Sequence, residues 1–330
     1  MRVGIADVVE SRSQVHMGTF VHISLEKSNA SHFQPSFEVF RKLDQLLSHF
    51  KESSEISRLN KDRRLKVSPE TLEILFLARE YHKLTEGYFD VTLGALTIDT
   101  YQFNQSGAKI PTSREIKKAL PKIGMNTLKI NQDQVELETA GVKIDLGGIG
   151  KGYAVDKASL YLRSQGVSVA QVAASGDIRC FEKCEFSIAN PFLENSLIGP
   201  FFAAIENLSI STSGNYQNFV KSKKTNHLLN PKTGQPQQIF ARVTLFSKSE
   251  NTKIDALATA VSVMPLRLAE KILREQSIGY ILILNDGSLS KSQNLDLFVD
   301  SSKIDWSKIS ATQTKKAQNI PSSKKMKLKK

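Results

Sequence analysis

The sequence is poor in the features that would place it quickly. It has two cysteines in 330 residues, Cys180 and Cys184. Two are too few for a disulfide-stapled framework. With no histidine cluster nearby they also lack the partners of a zinc site. Both read as ordinary residues of a strand and its turn. No run of 18 apolar residues occurs, so no transmembrane helix is expected. The opening MRVGIADVVESRSQ has neither a continuous apolar core nor a small-residue cleavage site. As written, the chain reads as unexported and cytoplasmic; a truncated start would fit a periplasmic or membrane-anchored protein instead. There is no internal repeat.

Acidic residues are absent from one long stretch. Residues 307–330 carry eight lysines and no Asp or Glu, so of the net charge of +12 only +4 belongs to the first 306 residues. The basic excess is a property of the tail, which reads as a solvated, disordered end. Nucleic acid is therefore not an expected partner, and weak contact with a membrane or another acidic surface is the minority reading. At about 150 residues per domain the length allows one large or two ordinary domains. The expected division is an N-terminal arm over 1–14, a main domain over 15–306 and the tail over 307–330.

What is present is densest at KIDLGGIGKGYAVD, Lys143 to Asp156. An apolar run ends in Asp145, glycines follow at 147, 148, 150 and 152, and a helix-like segment begins at Tyr153. Strand, glycine loop and helix start together favour anions, because glycine lets the backbone approach and the first-turn N–H groups point outward. Lys151 adds a positive charge and Asp145 an acceptor. The stretch is not a Walker loop, since Gly152 follows Lys151 where Ser or Thr is needed. Nor is it a Rossmann fingerprint, since Tyr153 stands at the third glycine. A plain tight turn packing a helix onto a sheet remains open.

Elsewhere, alternate apolar positions from Val15 through Met17, Thr19, Val21 and Ile23 to Leu25 predict one strand. Phe37, Phe40, Leu43, Leu47 and Phe50 predict a helix over about 35–50. SSEISRLN (residues 53–60) reads as a polar connection or short helix, and SEISRLN is its part from residue 54. Ser68-Pro69-Glu70 is a helix start, with Leu72, Leu75, Phe76 and Ala78 as its apolar face and Gly87 as its stop. GYFDVTLGAL (87–96) is a loop feeding a cleft, or merely a turn. Residues 97–112 read as an exposed loop, Ser113 as a helix cap, and 128–130 with 135–137 as a hairpin. After the glycine stretch come strands near 167–173, 186–189, 201–205 and 241–246. Ser175-Gly176-Asp177 follows the first of these. SISTSGNY (209–216) is suited to backbone contacts with a ligand.

The segment KIDALATAVSVM, Lys253 to Met264, is a helix stopped by Pro265. Asp255 and Thr259 lie four apart, on one face. A carboxylate and a hydroxyl together on an apolar helix suit a hard cation such as Mg²⁺. Against this stands a capping role for Asp255 and a back-bond from Thr259 to a helix carbonyl.

MGT (17–19), SEISRLN, GYFDVTLG, DLGGIGKGYAVD, SGD (175–177), STSGNY, HLLNPKTGQP (227–236) and DALATAV (255–261) resemble, in order and approximate spacing, the FAD:protein FMN transferases of the ApbE type. The resemblance covers residues 15–284; each motif is weak alone and the ordered set of eight is specific. It implies an α+β fold of mixed, largely antiparallel sheets with packed helices, in two intimately joined lobes around an FAD/Mg cleft. It implies an enzyme that moves the FMN half of FAD to a Thr or Ser hydroxyl of an acceptor flavoprotein, releasing AMP. By motif position the Mg²⁺ ligands would be the carbonyl of Gly148, the carboxylate of Asp255 and the hydroxyl of Thr259. FAD contacts would come from Met17, Tyr88, Phe89, Asp90, Asp145, Lys151 and His227, and the proton acceptor would be His227 or Asp177. The chain departs from the family pattern in having Ser175 for the first glycine of GGD, Asn230 for the Asp before Pro231, and no lipoprotein signal.

Other functions are weaker. An FAD pyrophosphatase giving FMN and AMP would use nearly the same residues, with water as the acceptor. A non-catalytic FAD-binding protein would not need Lys151, Asp255 and Thr259 together.

Overall fold

Val21, Ile23 and Leu25 are fully buried while Phe20 and His22 face outward, the alternation of a half-covered strand. That strand, β2 (Thr19–Glu26), does not extend back to Val15 as expected. Met17 and Gly18 both have positive φ, 51° and 70°, and turn the chain into β1 (Val9–His16), with His16 opposite Thr19. Such two-residue turns suit the twist of a hairpin. The turn also breaks the period of two, so Val15 lands opposite Phe20 on the outer face and both are more than 60% exposed. Residues 9–14 of the expected arm are thus part of a strand. The computed structural model describes residues 9–193, 196–215 and 219–300 together with 302, 304 and 306, so the basic tail, Tyr216 and the first eight residues lie outside the described residues.

The helices that follow are α1 (Phe33–Leu47), α2 (Glu55–Asp62), α3 (Pro69–Leu84), α4 (Gly94–Thr97) and α5 (Ser113–Ala119). α1 ends three residues before Phe50, which is exposed. Ser54 caps α2 and Ser68 caps α3, each accepting from an N–H three residues on. On α3 the buried face is Ile74, Leu75, Ala78 and Tyr81, whereas Phe76 is 48% exposed under the Arg79 guanidinium, which corrects the expected apolar face. α5 is capped by Thr112 rather than Ser113, through a capping box with Glu115. The expected exposed loop over 97–112 is exposed over 104–110, but Thr100, Tyr101, Phe103 and Pro111 are buried. Tyr101 and Phe103 stack at 5.1 Å and pack on Leu96, Ile116 and Leu229.

Strand β3 (Arg64–Lys66) joins the hairpin β4 (Leu128–Asn131) and β5 (Gln134–Leu137) in a small antiparallel sheet ordered β3-β5-β4. After α6 (Gly150–Ser164) come β6 (Ala170–Ala174), β7 (Asp177–Cys180), β8 (Glu185–Ala189), β9 (Leu197–Phe202), β10 (Ser209–Gly214) and β11 (Phe240–Ser247). Helices α7 (Asn251–Val261) and α8 (Leu266–Glu275) and strands β12 (Gly279–Leu284) and β13 (Leu289–Lys291) complete the order. The main sheet runs β1-β2-β6-β7-β10-β11-β12-β13, every pair antiparallel. The fold is α+β, as the resemblance implied.

One face of this sheet packs on α1, α6 and α7 through Val172, Val243, Leu245 and Leu282. The other face, through Ile210, Phe246, Ile281 and Ile283, packs on the β8–β9 ribbon. Its central strands are covered on both sides, so all eight residues of β11 are buried and β12 reads as a nearly continuous apolar run. The cysteines are not separate. Cys180 at the end of β7 and Cys184 before β8 form a disulfide with Cα atoms 6.0 Å apart, against the sequence expectation. A single close bridge needs no wider framework, only two Cβ atoms brought together by a turn.

Candidate active site at the glycine turn and helix α7

Asp145 ends the segment that runs beside the Gly87–Leu96 stretch, its N–H donating to the Val91 carbonyl at 2.8 Å. Asn60 of SEISRLN holds the neighbouring Ile144 from the other side, accepting its N–H at 2.6 Å and donating to its carbonyl at 2.9 Å. The Asp145 carboxylate is fixed at both oxygens: Oδ1 accepts from Gly147 N–H at 2.9 Å and Oδ2 from the Thr97 hydroxyl at 2.6 Å. His49 Nδ1 stands 3.5 Å from Oδ1, and the exposed ring of Phe50 leans on His49 at the rim.

The glycine run then enters α6 nearly one turn earlier than expected, the helix beginning at Gly150 rather than Tyr153. Gly152 lies so close to α7 that a Cβ would sit 2.5 Å from the Asn251 carbonyl oxygen and 2.7 Å from Asp255 Cβ. The bare backbone donates its N–H to Asp255 Oδ2 at 2.9 Å. One turn further along α6, Asp156 caps α7 from outside, accepting from Asn251 N–H at 2.9 Å, Thr252 N–H at 2.7 Å and the Thr252 hydroxyl at 2.6 Å. Asn251 in turn donates to the carbonyls of Ile178 and Ile210, tying the start of α7 to β7 and β10. Asp255 therefore does not cap its own helix.

This packing brings the expected metal ligands together. Thr259, one turn after Asp255, sets its hydroxyl 3.3 Å from the Gly148 carbonyl oxygen, across 111 residues of sequence. Among the described residues no group of three or more His, Cys, Asp or Glu could hold a metal, so a cation here would rely on a carbonyl, a hydroxyl and a carboxylate. That all-oxygen set suits Mg²⁺. Lys151 bends back over the turn, donating to the Gly147 carbonyl at 3.2 Å, with Nζ 3.8 Å from Asp255 Oδ2 and 3.9 Å from Asp177 Oδ2. Burial opposes its charge, but Asp255, Asp177 and Asp145 outweigh burial and hold the ammonium above its ordinary pKa.

Asp177 opens β7 after the Ser175-Gly176 turn. Its Oδ1 accepts the Ser211 hydroxyl of β10 at 2.6 Å. Burial first, and the Asp255 charge second, push its pKa well above the ordinary carboxylate range, against the pull of Lys151 and Ser211. A carboxyl so raised beside a cation is a group suited to exchanging a proton.

The remaining expected residues are divided. Met17, at the tip of the β1–β2 hairpin, brings its side chain to the start of α6 beside Gly150. Phe89 is core, and the Asp90 carboxylate is taken up by the Thr92 N–H at 2.8 Å and hydroxyl at 2.5 Å, with His82 at 3.4 Å. These two shape the loop from within and leave Tyr88, half buried beneath Lys232 Nζ at 3.9 Å from its ring centroid, to face outward. His227 is half buried in the segment after the bridge between Phe219 and Asn226. The roles of Asp156, Ser211, Thr97 and His49 were not anticipated, although Ser211 lies in the SISTSGNY segment and Asp156 closes the glycine stretch, one helical turn beyond Gly152 on the same face.

A family model described as the ApbE family matches residues 17–282. The chain belongs to the ApbE family. Among curated relatives, an FAD:protein FMN transferase from Buchnera aphidicola subsp. Schizaphis graminum is 28% identical over 288 residues, covering 81% of this chain and 83% of that protein. Among solved structures, an ApbE protein from Thermotoga maritima is 25% identical with a TM-score of 0.78, and the flavin transferase ApbE from Vibrio cholerae is 24% identical with a TM-score of 0.77. Each covers 88% of this ApbE-family chain and 99% of the matched one.

Proposed function

We propose that this ApbE-family chain is a Mg²⁺-dependent FAD:protein FMN transferase that moves the FMN moiety of FAD to a Thr or Ser hydroxyl of an acceptor flavoprotein and releases AMP. The observation that carries the reading is the meeting of the Gly148 carbonyl, the Thr259 hydroxyl and the Asp255 carboxylate at one turn, with Lys151 beside them. It is supported by the names of the relatives that match over most of the chain.

Gly148, Asp255 and Thr259 would hold Mg²⁺, which when bound supplies neutralising charge to the diphosphate. Lys151 adds a fixed cation where negative charge builds on the leaving AMP phosphate. The acceptor oxygen forms a bond to the phosphorus of the FMN half as the P–O bond to AMP breaks, and we assign the hydroxyl proton to Asp177. In its ionised form Asp177 is a stronger proton acceptor than an ordinary carboxylate, because burial and then the Asp255 charge raise its pKa, and Ser211 holds it in place. His227 is assigned to the diphosphate side of the same cleft, and the exposed Phe50 offers a ring face on which a planar heterocycle can stack.

The test is incubation with FAD, Mg²⁺ and a flavoprotein carrying an acceptor Thr, read by intact mass. A gain of one FMN unit on the acceptor, absent with Asp255→Ala, is the expected result. Free FMN and AMP without labelling would replace the reading with a pyrophosphatase, and unchanged labelling by Asp255→Ala would remove the metal assignment.

A further inference from the structure

The segment 226–240 is a hairpin built on its own side chains. Asn226 donates to the Gln237 carbonyl at 2.9 Å, Gln237 N–H to the Leu228 carbonyl at 2.9 Å, and Asn230 N–H to the Gln235 carbonyl at 2.9 Å. The Thr233 and Gly234 N–H groups close the tip on the Asn230 carbonyl. The tip is wedged into the molecule: Tyr101 donates to the Gly234 carbonyl at 3.1 Å, and a Cβ on Gly234 would strike Ile116.

Asn230 uses both ends of its amide. Its Oδ1 accepts the Lys232 N–H at 2.9 Å, and its Nδ2 donates to the Val263 carbonyl, just past the end of α7, at 3.1 Å. The two bonds fix the orientation of the amide, because only an oxygen can face the N–H and only a nitrogen can face the carbonyl. A carboxylate could serve Lys232 but would set an anionic oxygen against the Val263 carbonyl. From the same tip Lys232 reaches back over the Tyr88 ring. Two side chains, Asn230 and Lys232, therefore join three parts of the site: the hairpin that begins beside His227, the Tyr88 loop, and the helix of Asp255 and Thr259.

We infer that Asn230 is a positioning residue that locks the His227 hairpin, and through Lys232 the Tyr88 loop, to the C-terminal end of the metal-bearing helix. It sets the FAD-facing wall relative to the metal ligands. Asp255 is held by Gly152, the start of α7 by Asp156, and Thr259 meets Gly148, contacts in which Asn230 has no part. The functional part of this inference rests on the transferase reading; the clamp does not.

The experiment compares the full chain with Asn230→Asp, Asn230→Ala and Lys232→Met, by amide hydrogen exchange and by FMN-transfer kinetics. In both Asn230 variants exchange over 228–237 should rise by up to about tenfold, the scale of one lost part-buried hydrogen bond, with α7 within about twofold. kcat/KM for FAD should fall by about tenfold while half-saturating Mg²⁺ stays within about twofold. Lys232→Met, which keeps the Asn230 bonds, should raise KM for FAD and leave the hairpin protected. Unchanged protection over 228–237 would overturn the clamp, and a loss of Mg²⁺ affinity equal to the loss for FAD would overturn the separation of wall and metal. If the wild-type chain transfers no FMN, the transferase reading fails, and the exchange comparison still decides for or against the clamp.

Discussion

Gly152 and Asp255 are 103 residues apart in sequence, yet the backbone N–H of the first donates to the carboxylate of the second at 2.9 Å. The contact exists only because position 152 has no side chain. A methyl group there would lie 2.5 Å from the Asn251 carbonyl oxygen and 2.7 Å from Asp255 Cβ, neither of which can swing away. Gly152→Ala is therefore expected to force α6 and α7 apart, costing about 1–3 kcal/mol, and to abolish Mg²⁺-dependent transfer. Thermal melting and transfer assays of the variant measure both, and an active variant with an unshifted melt would mean that the helices are not in contact at this point.

Asp156 holds the same two helices together by a different means. Three donors from the first turn of α7 converge on its carboxylate. Asp156→Ala leaves two backbone N–H groups and a hydroxyl without that partner in a largely buried place, and should destabilise by about 1–3 kcal/mol. Asp156→Asn keeps one accepting oxygen and should cost less than the Ala change. Since α7 carries both Asp255 and Thr259, each variant should also weaken Mg²⁺ dependence in the same order. Denaturant unfolding and Mg²⁺ titration of activity check the ranking.

How far the chain could be read beforehand follows from what kind of physics each part used. Ser68 before Pro69 marked the start of α3 to the residue, because capping is local. The β4–β5 hairpin was legible for the same reason. The Met17-Gly18 turn was hidden because a two-residue loop keeps apolar residues at alternate positions while reversing which face they occupy. Tyr101 and Phe103 sat in a polar stretch whose burial depends on Ile116 and Leu229, far along the chain. At the site, Gly148, Asp255 and Thr259 were named from motif order and are brought together, whereas Phe89 and Asp90 bear side chains that serve the loop itself. Nothing in the local sequence tells an outward Asp from one that closes a turn on Thr92. The glycine run was expected to present N–H groups to a ligand, and at least two of those groups serve the chain's own Asp145 and Asp255.

Ser175 stands in the left-handed region, φ 56°, where a side chain crowds the backbone. Glycine there would relieve about 1–2 kcal/mol of strain but would give back roughly 0.5–1 kcal/mol through the greater freedom of the unfolded chain. The two nearly offset, so Ser175→Gly should stabilise by no more than about 1 kcal/mol. Its neighbour does not share this tolerance: a Cβ on Gly176 would lie 2.5 Å from the Thr212 carbonyl oxygen. Gly176→Ala should displace the turn and, with it, Asp177. Melting temperatures of the two variants should move in opposite directions, and equal shifts would contradict this account of the turn.

The raised pKa of Asp177 fixes the sign of a pH effect in the metal-free protein. Its carboxyl titrates higher in the fold than in the unfolded chain, mainly because burial penalises the charge and then because Asp255 repels it. The unfolded chain gives up this proton first, near pH 3.9, so the contribution of Asp177 to stability is fully present below that value. It is lost as pH rises through the higher folded pKa. Asp177→Asn removes the titration while keeping an oxygen for the Ser211 hydroxyl. The stability of the variant relative to wild type should therefore increase as pH is raised from about 4 to neutrality, on top of any constant offset from the lost Lys151 contact. Denaturant unfolding at a series of pH values, in the presence of a chelator, reads the slope directly. A variant that tracks wild type in parallel across the range would mean that Asp177 is not held in a raised state, and its assignment as the proton acceptor would fall with it.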